Sequence, residues 1–119
     1  MKRLLVVDDT IFMRMSIKTM VEKNGYQVVG EAENGLVAIE KYNILKPDIV
    51  TLDITMPEMD GLSALRQIIK NDPKAKVIMV TALGQENHVR EAVLIGAKGF
   101  VVKPINEAHL IKTLNTLQL

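Results

Sequence analysis

Five short aliphatic runs, each followed by a stretch of helical period, constrain this chain more than any other feature of its sequence. The runs are Arg3 to Val7, Gln27 to Gly30, Ile49 to Leu52, Val77 to Val80 and Gly99 to Val102. They are near-continuous apolar runs and lack the in-out alternation of a strand with one wet face. Strands buried on both faces need helices above and below, so the pattern predicts a parallel sheet covered by helices.

The intervening stretches supply those helices. The first places Met13, Ile17, Met20 and Val21 on a buried stripe and stops near Asn24-Gly25, where glycine accepts a left-handed cap. The second runs from Leu36 to Leu45 and is ended by Pro47, and the third begins after Asp60-Gly61 and carries Leu62, Leu65, Ile68 and Ile69. The fourth buries Val89, Ala92 and Val93 and is closed by Gly96; the last presents Leu110, Ile111, Leu114 and Leu117. Two architectures suit five βα units, a doubly wound α/β sheet of the flavodoxin-like order 2-1-3-4-5 or a fragment of a barrel. The first needs only these five units, whereas a (β/α)₈ barrel needs about 250 residues. The doubly wound sheet is therefore expected, as one domain over residues 1–119.

Composition narrows the function classes. The 15 basic and 14 acidic residues are interspersed and leave a net charge of +1, so no basic stripe marks a nucleic-acid or membrane face. Cysteine is absent, which removes disulfides, thiolate metal sites and a cysteine nucleophile. Apolar runs such as Leu4 to Val7 fall far short of the ~20 residues of a membrane span, and no signal peptide is recognisable. A cytoplasmic monomer is expected.

In the doubly wound order, ligands bind outside the carboxyl ends of the strands, at the switch point between strands 1 and 3. There the sequence places Asp8-Asp9 after strand 1, Asp53 after strand 3, Thr81 after strand 4 and Lys103-Pro104 after strand 5. Taken singly, Asp9 or Thr10 reads equally well as a helix N-cap. Taken together, three converging carboxylates repel by about 4 kcal/mol per close pair at a surface-like dielectric, and a cation must offset that cost. Oxygen-only ligands with no His or Cys point to Mg²⁺, which also accepts phosphate oxygens. Thr81 and Lys103 add a hydroxyl donor and a positive charge, completing a cradle for a transferring phosphoryl group. Asp53, central between the acidic pair and Thr81 with Lys103, is the expected nucleophile.

Asp8-Asp9, Asp53 with Met56-Pro57 and Asp60-Gly61, Thr81-Ala82 and Lys103-Pro104, in this order along the whole chain, resemble the receiver domains of response regulators in two-component systems. The resemblance implies that Asp53 accepts phosphate from the phosphohistidine of a histidine kinase. It implies that Asp9, Asp53 and the Thr55 carbonyl bind Mg²⁺ directly, that Asp8 helps through water, and that the Lys103-Pro104 peptide is cis. Thr81 would turn inward to the phosphoryl group and Phe100 would fill the vacated space, remodelling the face of helix 4, strand 5 and helix 5. Thr55 and Leu83 would flank the path of the hydrolytic water. The stretches Phe12 to Met15, Asp53 to Gly61 and Leu83-Gly84-Gln85 further resemble the single-domain chemotaxis regulators. That implies a flagellar motor switch protein as output partner, and a kinase or phosphatase meeting Phe12 and Met15, which fall off the buried stripe.

Three other readings remain. A Mg²⁺-dependent phosphatase of the haloacid dehalogenase class would want a second Asp where this chain has Thr55. A flavodoxin-like electron carrier would not place Asp8-Asp9 where its cofactor phosphate sits. A phosphorelay intermediate, passing its phosphate to another histidine protein, fits the same residues as a motor-binding switch.

Overall fold

A computed structural model describes residues 1–117. Its elements alternate as β1 (Lys2–Val7), α1 (Ile11–Glu22), β2 (Tyr26–Ala32), α2 (Gly35–Leu45), β3 (Ile49–Asp53), α3 (Gly61–Asn71), β4 (Val77–Thr81), α4 (Glu86–Ile95), β5 (Gly99–Val102) and α5 (Glu107–Asn115). All pairings are parallel, in the order β2-β1-β3-β4-β5. The expected doubly wound sheet is therefore the observed one. Every residue of β3 and β4 is buried, as their largely apolar runs require, while the edge strands β2 and β5 are only partly covered.

The sheet separates two apolar layers. On one side Leu5, Val7, Val50, Leu52, Val77 and Met79 pack under α2, α3 and α4 through Ala38, Leu65, Ile68 and Ala92. On the other side Leu4, Val6, Ile49, Ile78 and Val80 meet Ile17 and Val21 of α1 and Leu110 and Leu114 of α5. Distant parts of the chain close this second layer: Lys23 Nζ lies 2.9 Å from Glu107 Oε1, and the Tyr26 hydroxyl donates to Asn115 Oδ1 at 2.6 Å.

Local chemistry explains the helix boundaries. Thr10, Asn34, Asp60 and Asn106 occupy the N-caps of α1, α2, α3 and α5, and each side chain accepts from the backbone N–H three residues on. The choice between Asp9 and Thr10 as first cap is thus settled for Thr10. Helix α2 ends one residue before Lys46, which takes a left-handed conformation at φ 47° and donates its N–H to the Tyr42 carbonyl. Pro47 follows that cap and does not form it. Gly96 closes α4 as expected, at φ 139°. Gly25 is left-handed too, but in the turn into β2; the cap of α1 is Lys23, in the ordinary helical region.

One core assignment is corrected. Val93 is exposed on α4, and the buried stripe there rests on Ala92 with partial cover of Val89 and Ile95. With Ala92 facing the sheet, the next position turns about 100° away, toward solvent. Met13, Met20, Ile69, Ile111 and Leu117 pack against the two layers but stay partly accessible.

Candidate active site at the carboxyl edge

Because the strands are parallel, their carboxyl ends share one edge, and register sets what meets there. Val7 pairs with Leu52, Asp53 with Val80 and Thr81 with Val102. Asp8, Asp53, Thr81 and Lys103 are thereby brought to adjacent positions on four neighbouring strands.

Asp8 is fully buried and held from several sides. Its N–H donates to the Ala32 carbonyl at 3.0 Å, and its Oδ1 accepts from the Thr10 N–H at 3.0 Å and the Thr10 hydroxyl at 3.1 Å. Arg14 Nη1 donates to the Asp8 carbonyl at 2.8 Å, while Arg14 Nε pairs with Glu31 of β2 at 3.0 Å. Lys103 Nζ reaches Asp8 Oδ2 at 3.1 Å and Asp53 Oδ2 at 3.3 Å. The contact to Asp8 is an ion pair without hydrogen-bond geometry, which leaves that buried oxygen without a hydrogen-bond donor. The Lys103-Pro104 peptide is cis, as expected, and the Lys103 N–H donates to the Thr81 carbonyl at 2.7 Å.

Carboxylate oxygens of Asp8, Asp9 and Asp53 lie within 4.8 Å of one another, with Asp9 exposed and the other two buried. A hard divalent cation fits this arrangement: the donors are all oxygens, they crowd together, and one buried carboxylate oxygen lacks a donor. Electrostatics agree. Burial, reinforced by Asp8, pushes the Asp53 carboxyl up to about 6, although Lys103 and the Thr55 N–H pull it back. Burial draws Lys103 down, but the Asp53 and Asp8 carboxylates outweigh it and hold the ammonium above its ordinary value.

The loop after β3 is held by two close backbone approaches. The Gly61 N–H donates to the Ile54 carbonyl at 2.7 Å, and a Cβ on Gly61 would lie 2.1 Å from the Asp53 carbonyl oxygen. The Gly35 N–H donates to the Met59 carbonyl at 3.1 Å, where a Cβ would also collide. Only glycine lets α3 and α2 begin this near the end of β3 and the loop that follows it, which carry Asp53 and Thr55.

Thr81 is buried, and the partners of its hydroxyl do not include Asp53: it donates to Gln85 Oε1 at 2.9 Å and to the Ala82 carbonyl at 3.2 Å. Gln85 Oε1 also accepts from the Ala82 N–H at 2.7 Å, and its Nε2 donates to Thr55 Oγ1 at 2.8 Å. Phe100 is 44% exposed and borders a cavity of about 280 Å³ with Thr81, Leu83, Val89 and Val102. Phe12 and Met15 stand out from α1, 75% and 59% exposed. Arg14 enters sequence reasoning only inside the stretch Phe12 to Met15, with no role of its own, because nothing in a helix written out linearly shows one guanidinium reaching both Asp8 and β2. Gln85 enters that reasoning only as part of a stretch, because its role depends on side-chain direction.

A parallel five-stranded sheet with three acids, a lysine and a threonine at one edge defines a class, and residues 4–115 match that class directly: the chain belongs to the response regulator receiver domain family. Within it, the chain is a CheY-like receiver domain of the chemotaxis type. It is 54% identical over 114 residues to a chemotaxis protein CheY of Thermotoga maritima, covering 96% of this chain and 95% of the relative. Identity to the CheY of Bacillus subtilis is 51% over 113 residues, 95% of this chain and 94% of that one. Among solved structures, CheY in a CheX–CheY–BeF₃–Mg²⁺ complex from Borrelia burgdorferi superposes with a TM-score of 0.92 at 38% identity, covering 97% of this chain and 87% of that chain. No helix among the described residues is long and apolar enough to cross a membrane.

Proposed function

We propose that this domain is a cytoplasmic phosphorylation switch in which Asp53 takes a phosphoryl group from the phosphohistidine of a histidine kinase. The observation that carries the reading is Asp53 itself, buried at the end of a central strand, 3.3 Å from Lys103 and beside two further acids. At neutral pH its carboxyl, at about 6, is mostly ionised and able to attack. One carboxylate oxygen bonds to phosphorus as the bond from phosphorus to the kinase imidazole breaks, and the imidazole leaves with that electron pair. Asp9, Asp53 and the Thr55 carbonyl would hold Mg²⁺ directly and Asp8 through water, the ion supplying positive charge for the phosphoryl oxygens. Lys103 adds its ammonium to the same charge.

The added group carries about −1.5 to −2 charges and new acceptor oxygens. Thr81 then exchanges its present partners for a phosphoryl oxygen, and Phe100 moves into the cavity it borders. The face of α4, β5 and α5 changes shape, and a flagellar motor switch protein would read it. Thr55 and Leu83 would flank the path of the hydrolytic water and so tune the lifetime of the phosphoryl group. Phe12 and Met15 offer an apolar surface to a kinase or phosphatase; the Borrelia relative is itself found with a second protein, CheX. Thr55 in place of a second acid disfavours the phosphatase reading. Labelled acetyl phosphate with Mg²⁺ tests the assignment: wild type should take up label and Asp53→Asn should not, and full labelling of the variant would refute it.

A further inference from the structure

Among the described residues, α4 starts differently from the other helices. Thr10, Asn34, Asp60 and Asn106 each turn a side chain onto their own helix, whereas Gln85, in the cap position of α4, makes no such bond. Its amide is directed instead to the carboxyl edge. There Oε1 accepts from the Thr81 hydroxyl and the Ala82 N–H, and Nε2 donates to the Thr55 hydroxyl.

We propose that Gln85 is a positioning residue that sets the resting state of the switch by holding the Thr81 hydroxyl away from Asp53 and tying it to Thr55. The inference rests on the phosphoacceptor role of Asp53. The hydroxyl of Thr81 has one proton, already divided between Gln85 Oε1 and the Ala82 carbonyl. To donate to a group on Asp53 it must leave Gln85. The backbone need not move with it, because the Ala82 N–H still anchors the amide oxygen at 2.7 Å. The Thr55 contact joins the loop after β3 to the loop after β4 through Gln85, and with the Ala82 N–H it fixes the amide in the position from which it holds Thr81. A ligand that binds the turned-in state meets a population reduced by this hold, and its apparent affinity falls by the same factor.

Beryllofluoride with Mg²⁺, the combination found on the Borrelia relative, is the probe. The full chain would be titrated while NMR follows the Thr81 amide and methyl signals. Gln85→Leu should bind about five-fold more tightly than wild type, the factor that the net contribution of one neutral hydrogen bond supports. Its unliganded Thr81 signals should move toward those of saturated wild type. Gln85→Asn keeps the amide but not the reach and should behave as Gln85→Leu does, which separates lost bonding from lost packing. In a Thr81→Val background, Gln85→Leu should leave the affinity unchanged, since no hydroxyl remains to be released. Equal affinity of wild type and Gln85→Leu, or an undiminished gain in the Thr81→Val background, overturns the proposal. Failure of wild type to bind the probe would overturn the phosphoacceptor reading and this inference with it, a result distinct from equal binding by both proteins.

Discussion

Replacing Asp53 by asparagine should stabilise the metal-free protein. Asp53 titrates from an ordinary value of 3.8 up to about 6 in the fold, because it is buried beside Asp8. A carboxyl whose folded-state value is raised costs stability when ionised: the cost is full above about 6, shrinks as pH falls and vanishes below 3.8. A rise from 3.8 to about 6 corresponds to roughly 3 kcal/mol, net of the opposing pull of Lys103. Asparagine carries no such cost. At pH 7.5 with chelator, Asp53→Asn should therefore melt roughly 10 °C above wild type, at about 4 °C per kcal/mol for a domain of this size. The gap should close between pH 6.5 and pH 4. Millimolar Mg²⁺ should narrow it at neutral pH by binding folded wild type selectively, a gain of about 2.7 kcal/mol at 100 times the dissociation constant. Paired thermal melts across pH, at matched ionic strength, provide the assay. If the variant is no more stable than wild type at pH 7.5, or if the gap is independent of pH, crowding of charge at this edge is not what governs the stability of the apo protein.

The same balance predicts that Asp9→Ala raises metal-free stability and cancels the Mg²⁺ shift, whereas Thr10→Ala, which removes the observed cap, costs about 0.5–2 kcal/mol with or without metal; equal Mg²⁺ shifts in Asp9→Ala and wild type would exclude Asp9 as a ligand. Lys103→Ala and Thr81→Ala should remain folded in Mg²⁺ but uncouple phosphorylation from partner binding, as read by a pull-down with beryllofluoride; wild-type affinity in either activated variant would contradict the switch. Thr51 is fully buried in β3 with an unpaired hydroxyl, so Thr51→Val should stabilise by about 1 kcal/mol, seen as a higher urea midpoint at unchanged slope.

The strand order and the acidic edge were legible because the information is one-dimensional. Leu4 to Val7 is apolar without a break, Ile49 to Leu52 is interrupted only by Thr51, and each run is followed by an acid, so burial and edge position can be read off together. Features set by a third direction were not. Val93 is as apolar as Val89, and only the rotation of α4 against the sheet decides which of them faces solvent. Lys46 takes the left-handed cap of α2 although neither glycine nor asparagine stands there, since the chain must turn toward Pro47 and β3. Arg14 is ordinary in a helix of this composition until β2 brings Glu31 to it. Which partner the Thr81 hydroxyl takes, here Gln85, depends on side-chain direction, and no residue type encodes it.

The two apolar layers do not become available to a growing chain at the same time. The layer under α2, α3 and α4 draws on residues between Leu5 and Ala97, so its parts exist before α5 has been synthesised. The layer under α1 includes Leu110 and Leu114, about a hundred residues after the Leu4 and Val6 side chains they help to cover. Until those leucines leave the ribosome, the α1 face of the sheet can be only half roofed, and Ile49, Ile78 and Val80 form an aliphatic surface that a nascent-chain chaperone would find on this side and not on the other.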